Sequence, residues 1–124
     1  MAILNAQLTT TQLNIFDPSG SSGVPAGKRY AITSVMVTNT FSPSDSDASS
    51  HTANFDMHFR KSGQALSSKV TCVVKELELP AGETFTFDSE KVILDAGEEL
   101  SFVAGPNIGS GLTDLAVSVS YLEV

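Results

Sequence analysis

Three tight-turn motifs built on Ala-Gly divide this chain into short segments. They are Val24-Pro25-Ala26-Gly27-Lys28, Leu79-Pro80-Ala81-Gly82-Glu83 and Leu94-Asp95-Ala96-Gly97-Glu98. Each lies between two runs of alternating or β-branched residues. Proline sets φ near the value wanted at the second position of a tight turn, and glycine accepts the positive φ that closes it. The motifs therefore predict sharp reversals between strands and an all-β protein.

Alternation of apolar and polar residues predicts the strands themselves. It is clearest in 53–60, where Phe55, Met57 and Phe59 are expected to point inward and the polar residues between them outward. No stretch has a clean helical period. We therefore expect a single-domain antiparallel β-sandwich over residues 1–124, jelly-roll-like, with about eight to ten short strands. The other predicted strands are 2–9, 12–16, 28–40, 70–79, 84–87, 92–94, 99–104 and 114–124.

The segment 28–40 is dense in β-branched residues, which predicts a central strand covered on both faces. Strict alternation would put Ile32 and Val35, both apolar, on opposite faces of the strand. A β-bulge near Ser34 would bring them onto the same face. The last strand carries small residues on one side, namely Ala116, Ser118 and Ser120. Another surface could pack closely there, although solvent exposure explains the small residues equally well.

Composition and charge exclude several classes of function. Of the 124 residues, 41% are hydrophobic and 17% are charged, which argues against wholesale disorder and leaves little charge on the surface. A net charge of −7 without a basic cluster argues against nucleic-acid binding, because phosphate contacts need Lys and Arg. Cys72 is the single cysteine, so an intrachain disulfide is impossible and a reducing compartment fits. We expect neither a signal peptide nor a membrane span.

Residues able to bind a metal do not converge in the sequence. His51 and His58 are the two histidines, and Asp56 shares a strand face with His58. Two ligands are too few for a metal site, so we expect a solvated pair. Asp45 and Asp47 lie in a polar loop that lacks the glycine and glutamate of an EF-hand. We expect that loop, 41–52, to be exposed and mobile.

Catalytic patterns are also missing from the sequence. Paired carboxylates in a cleft could hydrolyse a glycoside, but most acidic residues of 76–99 fall in turns or on outward faces. The glycine-rich loop 105–111 lacks the Lys-Ser or Lys-Thr of a phosphate loop, and no Gly-x-Ser-x-Gly elbow occurs. We therefore expect no enzymatic activity, no catalytic or metal-binding residue and no cofactor. The acidic residues are Glu76, Glu78, Glu83, Asp88, Glu90, Asp95, Glu98 and Glu99.

Three stretches carry a resemblance that covers most of the chain: 24–40 (VPAGKRYAITSVMVTNT), 77–85 (LELPAGETF) and 92–100 (VILDAGEEL). Together they resemble small β-sandwich virion proteins of tailed bacteriophages. The resemblance implies a capsid decoration (cement) protein, or a small tail or neck protein, located in the virion after synthesis in the host cytoplasm. The partners it implies are further copies of the chain, as a homotrimer, and the major capsid protein or another virion protein. It implies no catalytic residue.

Residues 1–16 are expected to form an N-terminal arm or edge strands for assembly, because a terminal strand can extend the sheet of a neighbouring chain. Deleting residues 2–9 should then abolish particle binding and leave the core folded. The alternative is a binding module of a tail or baseplate that recognises a host glycan or surface protein through loops 41–52 and 105–111. The residues expected to contact neighbours are Ile3, Leu4, Leu8, Leu13, Ile15 and Phe16.

Overall fold

A computed structural model describes residues 2–20, 22–88, 92–105 and 112–124. Regular structure in these residues is nearly all β, as the alternation predicted, and a short 3₁₀ helix (Ala48–Ser50) lies between two of the strands. The strands are β1 (Ala2–Thr9), β2 (Leu13–Asn14), β3 (Arg29–Asn39), β4 (Ala53–Arg60), β5 (Cys72–Leu79), β6 (Thr84–Phe87), β7 (Val92–Asp95), β8 (Glu99–Ala104) and β9 (Leu112–Glu123).

These strands form two antiparallel sheets. Sheet A has the order β1-β9-β3, with β6 and β7 both paired to the remaining edge of β3, and sheet B has the order β2-β8-β4-β5. The pairs nest within one another: β1 with β9, β2 with β8, β3 with β6 and β7, and β4 with β5. A long antiparallel ribbon wrapped into two facing layers is a jelly roll. The predicted jelly-roll-like sandwich is confirmed.

The three Ala-Gly turns lie where the chain passes from one sheet to the other. Gly27, Gly82 and Gly97 have φ of 78°, 81° and 85°. In each turn the amide after the glycine donates to the carbonyl three residues earlier, at 3.0–3.1 Å. These are type II turns with glycine in third place. Proline stands first in two of them, at Pro25 and Pro80, and not second as expected, and the turns connect the sheets without closing hairpins.

A β-bulge in β3 brings Ile32 and Val35 onto the same face. The register between β3 and β9 shifts after Ile32, and Ser34 lies opposite Ser120. Thr33 is the extra residue, and its Oγ1 donates to the backbone carbonyl of Ser120 at 3.0 Å. Ile32 and Val35 are both buried between the sheets. The bulge expected near Ser34 is therefore confirmed, with Thr33 as the inserted residue.

The hydrophobic core lies between the two sheets and takes residues from both. Phe55 of β4 contacts Phe102 within sheet B and Phe85 across the interior, with ring centroids 6.2 Å and 5.6 Å apart. Burying a large apolar side chain contributes about 1.5–3 kcal/mol, so this layer stabilises the sandwich. The predicted inward positions of Phe55 and Met57 are confirmed, and Phe59 is half-buried against the same core.

Candidate interaction surface

Within the described residues, the outward side chains of sheet A form a broad surface that is uncharged over its middle, which we call the neutral face. The charged residues on the same outward side, Arg29, Asp95 and Asp114, lie at its ends. Its middle rows run straight across the sheet, with Asn5, Ser118, Met36 and Thr86 in one row. The face arises because alternation turns every second residue of each strand outward. Its members are Ile3, Asn5, Gln7, Ala31, Ser34, Met36, Thr38, Thr84, Thr86, Ile93, Ala116, Ser118, Ser120 and Leu122.

Exposed apolar side chains are concentrated on the neutral face. Among the described residues seven large hydrophobic side chains are exposed, and four of them lie here. Scattered exposed apolar residues are normal, whereas a cluster on one face of one sheet marks a contact surface. The four are Ile3 (62% exposed), Met36 (43%), Ile93 (46%) and Leu122 (38%).

Polar side chains of the neutral face bond to one another. Ser118 Oγ donates to Asn5 Oδ1 at 2.7 Å, and the Oγ1 atoms of Thr38 and Thr84 are 2.9 Å apart. A polar group that keeps a hydrogen-bond partner loses little when water is removed from it. The face can therefore be covered at low cost.

Ion pairs lie at one end of the neutral face. Arg29 Nε is 2.7 Å from Asp95 Oδ1, and Lys28 Nζ is 2.9 Å from Glu123 Oε1. The hydrogen bond and charge of Glu123 raise the pKa of Lys28 above its ordinary value. These exposed pairs contribute little stability, but they put a polar border next to an uncharged surface.

The outer face of sheet B carries charge. Lys75 Nζ lies 3.2 Å from Asp56 Oδ2, and Asp56 Oδ1 accepts the backbone N–H of Glu76 at 2.7 Å. Glu76 has a φ of 46°, in the left-handed region, where the strand β5 bulges against β4. Asp56 therefore fixes a strained bulge, a role that the sequence pattern did not predict.

His58 is buried, so the prediction of a solvated Asp56–His58 pair is wrong. Its Nδ1 is 2.9 Å from Thr71 Oγ1, and only 4% of the residue is exposed. Burial lowers the pKa of His58 below its ordinary value. The outward position was correctly predicted, but the turn 67–71 packs beside it and excludes water.

A second polar cluster joins sheet B to the segment around β2. Asn14 Oδ1 accepts bonds from Ser101 Oγ at 2.8 Å, Arg60 Nη2 at 3.0 Å and Gln12 Nε2 at 2.8 Å. Arg60 also donates to the backbone carbonyl of Gln64 at 2.8 Å. Each of these groups has partners inside the protein, so the cluster ties loops to the sheet and offers no free group for chemistry.

Glu99 is a buried carboxylate and an exception to the expectation that most acidic residues of 76–99 lie in turns or on outward faces. Its Oε1 accepts the backbone N–H groups of Phe16 at 2.9 Å and Leu100 at 3.0 Å, and its Oε2 accepts that of Asp17 at 3.1 Å. Burial raises the pKa of Glu99, and the three N–H bonds and the charge of Arg60 oppose that shift. The carboxylate therefore holds the chain leaving β2 against β8.

The six predicted interaction residues do not share one surface. β1 and β2 are edge strands of sheets A and B, and β1 is paired with β9 along its length. Leu8 and Ile15 belong to the core, so neither is on the surface, and Ile3 is the one of the six that lies on the neutral face. The remaining three are half-buried against the core: Leu4, Leu13 and Phe16.

Phe16 closes one end of the sandwich with two tyrosines. Its ring centroid lies 5.2 Å from those of Tyr30 and Tyr121, which are 4.6 Å from each other. A cavity of about 290 Å³ borders this trio and is lined by Tyr30, Tyr121, Ala2, Leu122 and Glu123. The aromatic side chains at this end pack on one another, which explains why Phe16 is partly covered.

The loop 41–52 is folded back on itself. The rings of Phe41 and His51 stack with centroids 3.6 Å apart, and His51 Nδ1 lies 2.9 Å from Asp114 Oδ2. Buried Asn39 donates from Nδ2 to the backbone carbonyls of His51 and Leu79, at 2.6 Å and 2.9 Å. Most side chains of the loop are exposed, as expected. The other loop of interest, 105–111, lies outside the described residues except for Gly105.

Within the described ranges, no three His, Cys, Asp or Glu side chains stand close enough to bind a metal ion together. The same ranges contain no helix with the length and hydrophobicity to span a membrane. Comparison of the chain with protein-family models, with curated proteins and with solved structures gave no match.

Proposed function

We propose that this chain is a non-enzymatic structural component of a phage virion, a capsid decoration protein that binds the assembled shell and stabilises it. The neutral face carries the proposal. A chain with a net charge of −7 that keeps charge away from the middle of one five-stranded sheet surface has the surface of an assembly component, since four of the seven exposed large apolar side chains in the described residues also lie there.

The fold is compatible with a decoration role but does not distinguish it from other roles. Jelly rolls occur in viral capsid proteins and in lectins, and a fold alone does not determine function. The sequence resemblance to small phage virion proteins is the reason to prefer a shell. The proposed partners are further copies of the chain and the major capsid protein, and the proposed location is the virion, after synthesis in the host cytoplasm.

The mechanism follows from mass action. A subunit that binds the assembled lattice and not its separate components lowers the free energy of the assembled state by RT ln(1 + [L]/Kd). Such a protein needs a preformed surface and no catalytic group. The nested strand pairing and the Gly turns provide a rigid scaffold for that surface.

Quantitative mass spectrometry of purified particles tests the proposal. The expected copy number is comparable with that of the major capsid protein. Shells incubated with the purified chain should also withstand heating to a higher temperature than undecorated shells. A copy number of only a few per particle, or shells that neither bind the chain nor gain heat resistance, would contradict a decoration role.

A binding module of a tail or baseplate is a second candidate, favoured by the contacts within the loop 41–52. The Phe41–His51 stack and the hydrogen bonds of Asn39 with His51 and Phe41 restrict the conformations open to the loop, and a restricted loop loses less entropy on binding. A glycan array with the purified protein decides between the two. Reproducible saccharide binding that a Phe41→Ala variant loses would support this module over decoration.

A further inference from the structure

We infer that the neutral face binds a second copy of this chain, face to face across a two-fold axis. The inference rests on the proposed function in assigning assembly to this face, and it specifies two copies where the sequence resemblance implies three. The contact itself can be measured on the purified protein, without any particle.

Charge favours a second copy over another occupant. A basic partner would be attracted to the acidic surface of a chain with a net charge of −7, and not to an uncharged sheet face. Two copies repel each other through their net charge. They approach most favourably where neither one places charge at the contact, and the neutral face meets that condition while the outer face of sheet B, with Asp56, Lys75 and Glu76, does not.

The shape of the face fits its own copy. Ala116, Ser118 and Ser120 form a row of small side chains along β9, and the larger Ile3 and Met36 stand on the two neighbouring strands. A two-fold axis that runs parallel to the strands, midway between β9 and β3, places Met36 of each copy over the small row of the other. Such an interface is isologous, so it closes with two copies. Two sheets packed face to face in this way lie about 10 Å apart with their strands about 30° from parallel.

The extent of the face sets the strength of the contact. Four strand positions at about 4.8 Å and six residue steps along β9 at about 3.4 Å give an area on the order of 400 Å² per copy. A standard stable interface covers about 800 Å² per partner. We therefore expect a weak, reversible pair that forms at high protein concentration, as on a crowded shell, and separates on dilution.

Sedimentation equilibrium of the purified chain tests the inference over a concentration range from about 10 µM to about 1 mM, which spans weak protein association. The face variants are Met36→Lys and Thr86→Lys, at exposed neighbouring positions of the face. The matched control is Val73→Lys, at a residue that is 52% exposed on β5 of sheet B. All three variants add one positive charge, so the change in net charge is the same.

We expect a monomer–dimer equilibrium in the unchanged chain. In both face variants the association constant should fall by about tenfold or more, because each variant would bury an unpaired charge. In Val73→Lys the association constant should not fall. Circular dichroism confirms that each variant is folded, and if one face variant fails to fold the other decides. A chain that stays monomeric at about 1 mM, forms a trimer, keeps its dimer in the face variants or loses it in the control would overturn the inference.

Failure of this inference is distinguishable from failure of the proposed function. A monomeric chain that still decorates shells overturns the face-to-face pair alone. A dimer that depends on Met36 but never binds a particle supports the pair and contradicts decoration.

Discussion

The burial and the pKa of Glu99 depend on the segments that pack around its side chain. The carboxylate accepts three backbone N–H groups and is almost wholly buried. Next to it in the sequence, Glu98 is partly exposed and accepts the amide of Asp95 within its own turn. Two adjacent glutamates therefore perform different tasks, because one side chain points to solvent at a turn and the other lies under the segment that follows β2.

The raised pKa of Glu99 predicts a pH-dependent contribution to stability. In the folded state the carboxyl binds its proton more tightly than in the unfolded chain. The stabilisation from Glu99 is therefore fully present below the ordinary value of 4.5 and declines as the pH rises through the raised pKa. Urea unfolding from pH 4 to pH 8 of the unchanged chain and of Glu99→Gln, which does not titrate, measures this difference.

Two further results are expected from the same unfolding experiment. The loss of stability in Glu99→Gln, whose amide group would face a backbone N–H that has lost its acceptor, should be largest at pH 4, at about 1–3 kcal/mol, and smaller at neutral pH. The control Glu83→Gln, at an exposed residue, should stay within about 0.5 kcal/mol. A difference between the unchanged chain and Glu99→Gln that does not vary with pH, or that grows as the pH rises, would contradict the raised pKa.

The strands are the structural elements that the sequence predicted best. Four of them, β1, β4, β6 and β8, begin and end at the predicted residues. β1 differs from the expectation in its role. It is an edge strand, as expected for residues 1–16, but it buries Leu8 in the core and pairs with β9 from Ala2 to Thr9. It is therefore part of the sandwich as well as part of the neutral face.

Deleting residues 2–9 is therefore expected to destabilise the domain, and not to leave the core folded. The deletion removes Leu8, whose loss by truncation to Ala alone costs about 2–5 kcal/mol, and exposes the edge of β9. Since small domains have total stabilities of about 5–15 kcal/mol, we expect loss of cooperative unfolding or aggregation, measured by circular dichroism in urea.

Two point variants separate the core contribution of β1 from its surface contribution. Leu8→Ala should lower the free energy of unfolding by about 2–5 kcal/mol. Ile3→Ala, measured at low protein concentration, should change it by less than about 0.5 kcal/mol, because Ile3 is 62% exposed. Equal effects of the two variants, or a deletion that unfolds like the full chain, would contradict this division of roles.

At the scale of the whole molecule, charge is distributed unevenly over the two sheets. The net charge of −7 lies outside the neutral face, while sheet B and the ends of the sandwich carry ion pairs. This distribution keeps separate copies apart at long range and leaves one surface where contact costs little. Added salt weakens the long-range charge repulsion between copies but does not weaken the short-range apolar attraction.

Salt should therefore strengthen the association of two copies. Raising the salt concentration from about 20 mM to about 500 mM screens the repulsion between the two −7 chains and leaves apolar contact unaffected or stronger. We expect the association constant from sedimentation equilibrium to rise by several-fold. An association that weakens as salt is added would indicate ion pairs at the contact, which the uncharged middle of the sheet cannot form.

The sequence by itself determined the local features of this protein. An alternating pattern places side chains on the two sides of a strand, and glycine accepts a positive φ, so the strands, Gly27, Gly82, Gly97 and the bulge in β3 could be predicted from residues close together in the chain. In the sequence, the neutral face was indicated only by the small residues of the last strand.

Only the tertiary structure decided which outward faces are covered and which remain open. The bond between Asn5 and Ser118 joins residues 113 positions apart, and nested pairing alone brings β1, β9 and β3 side by side. The same pairing places the turn 67–71 beside His58 and the chain after β2 over Glu99. Alternation assigns a side chain to a face of its strand, but contacts between distant segments determine whether that face meets water.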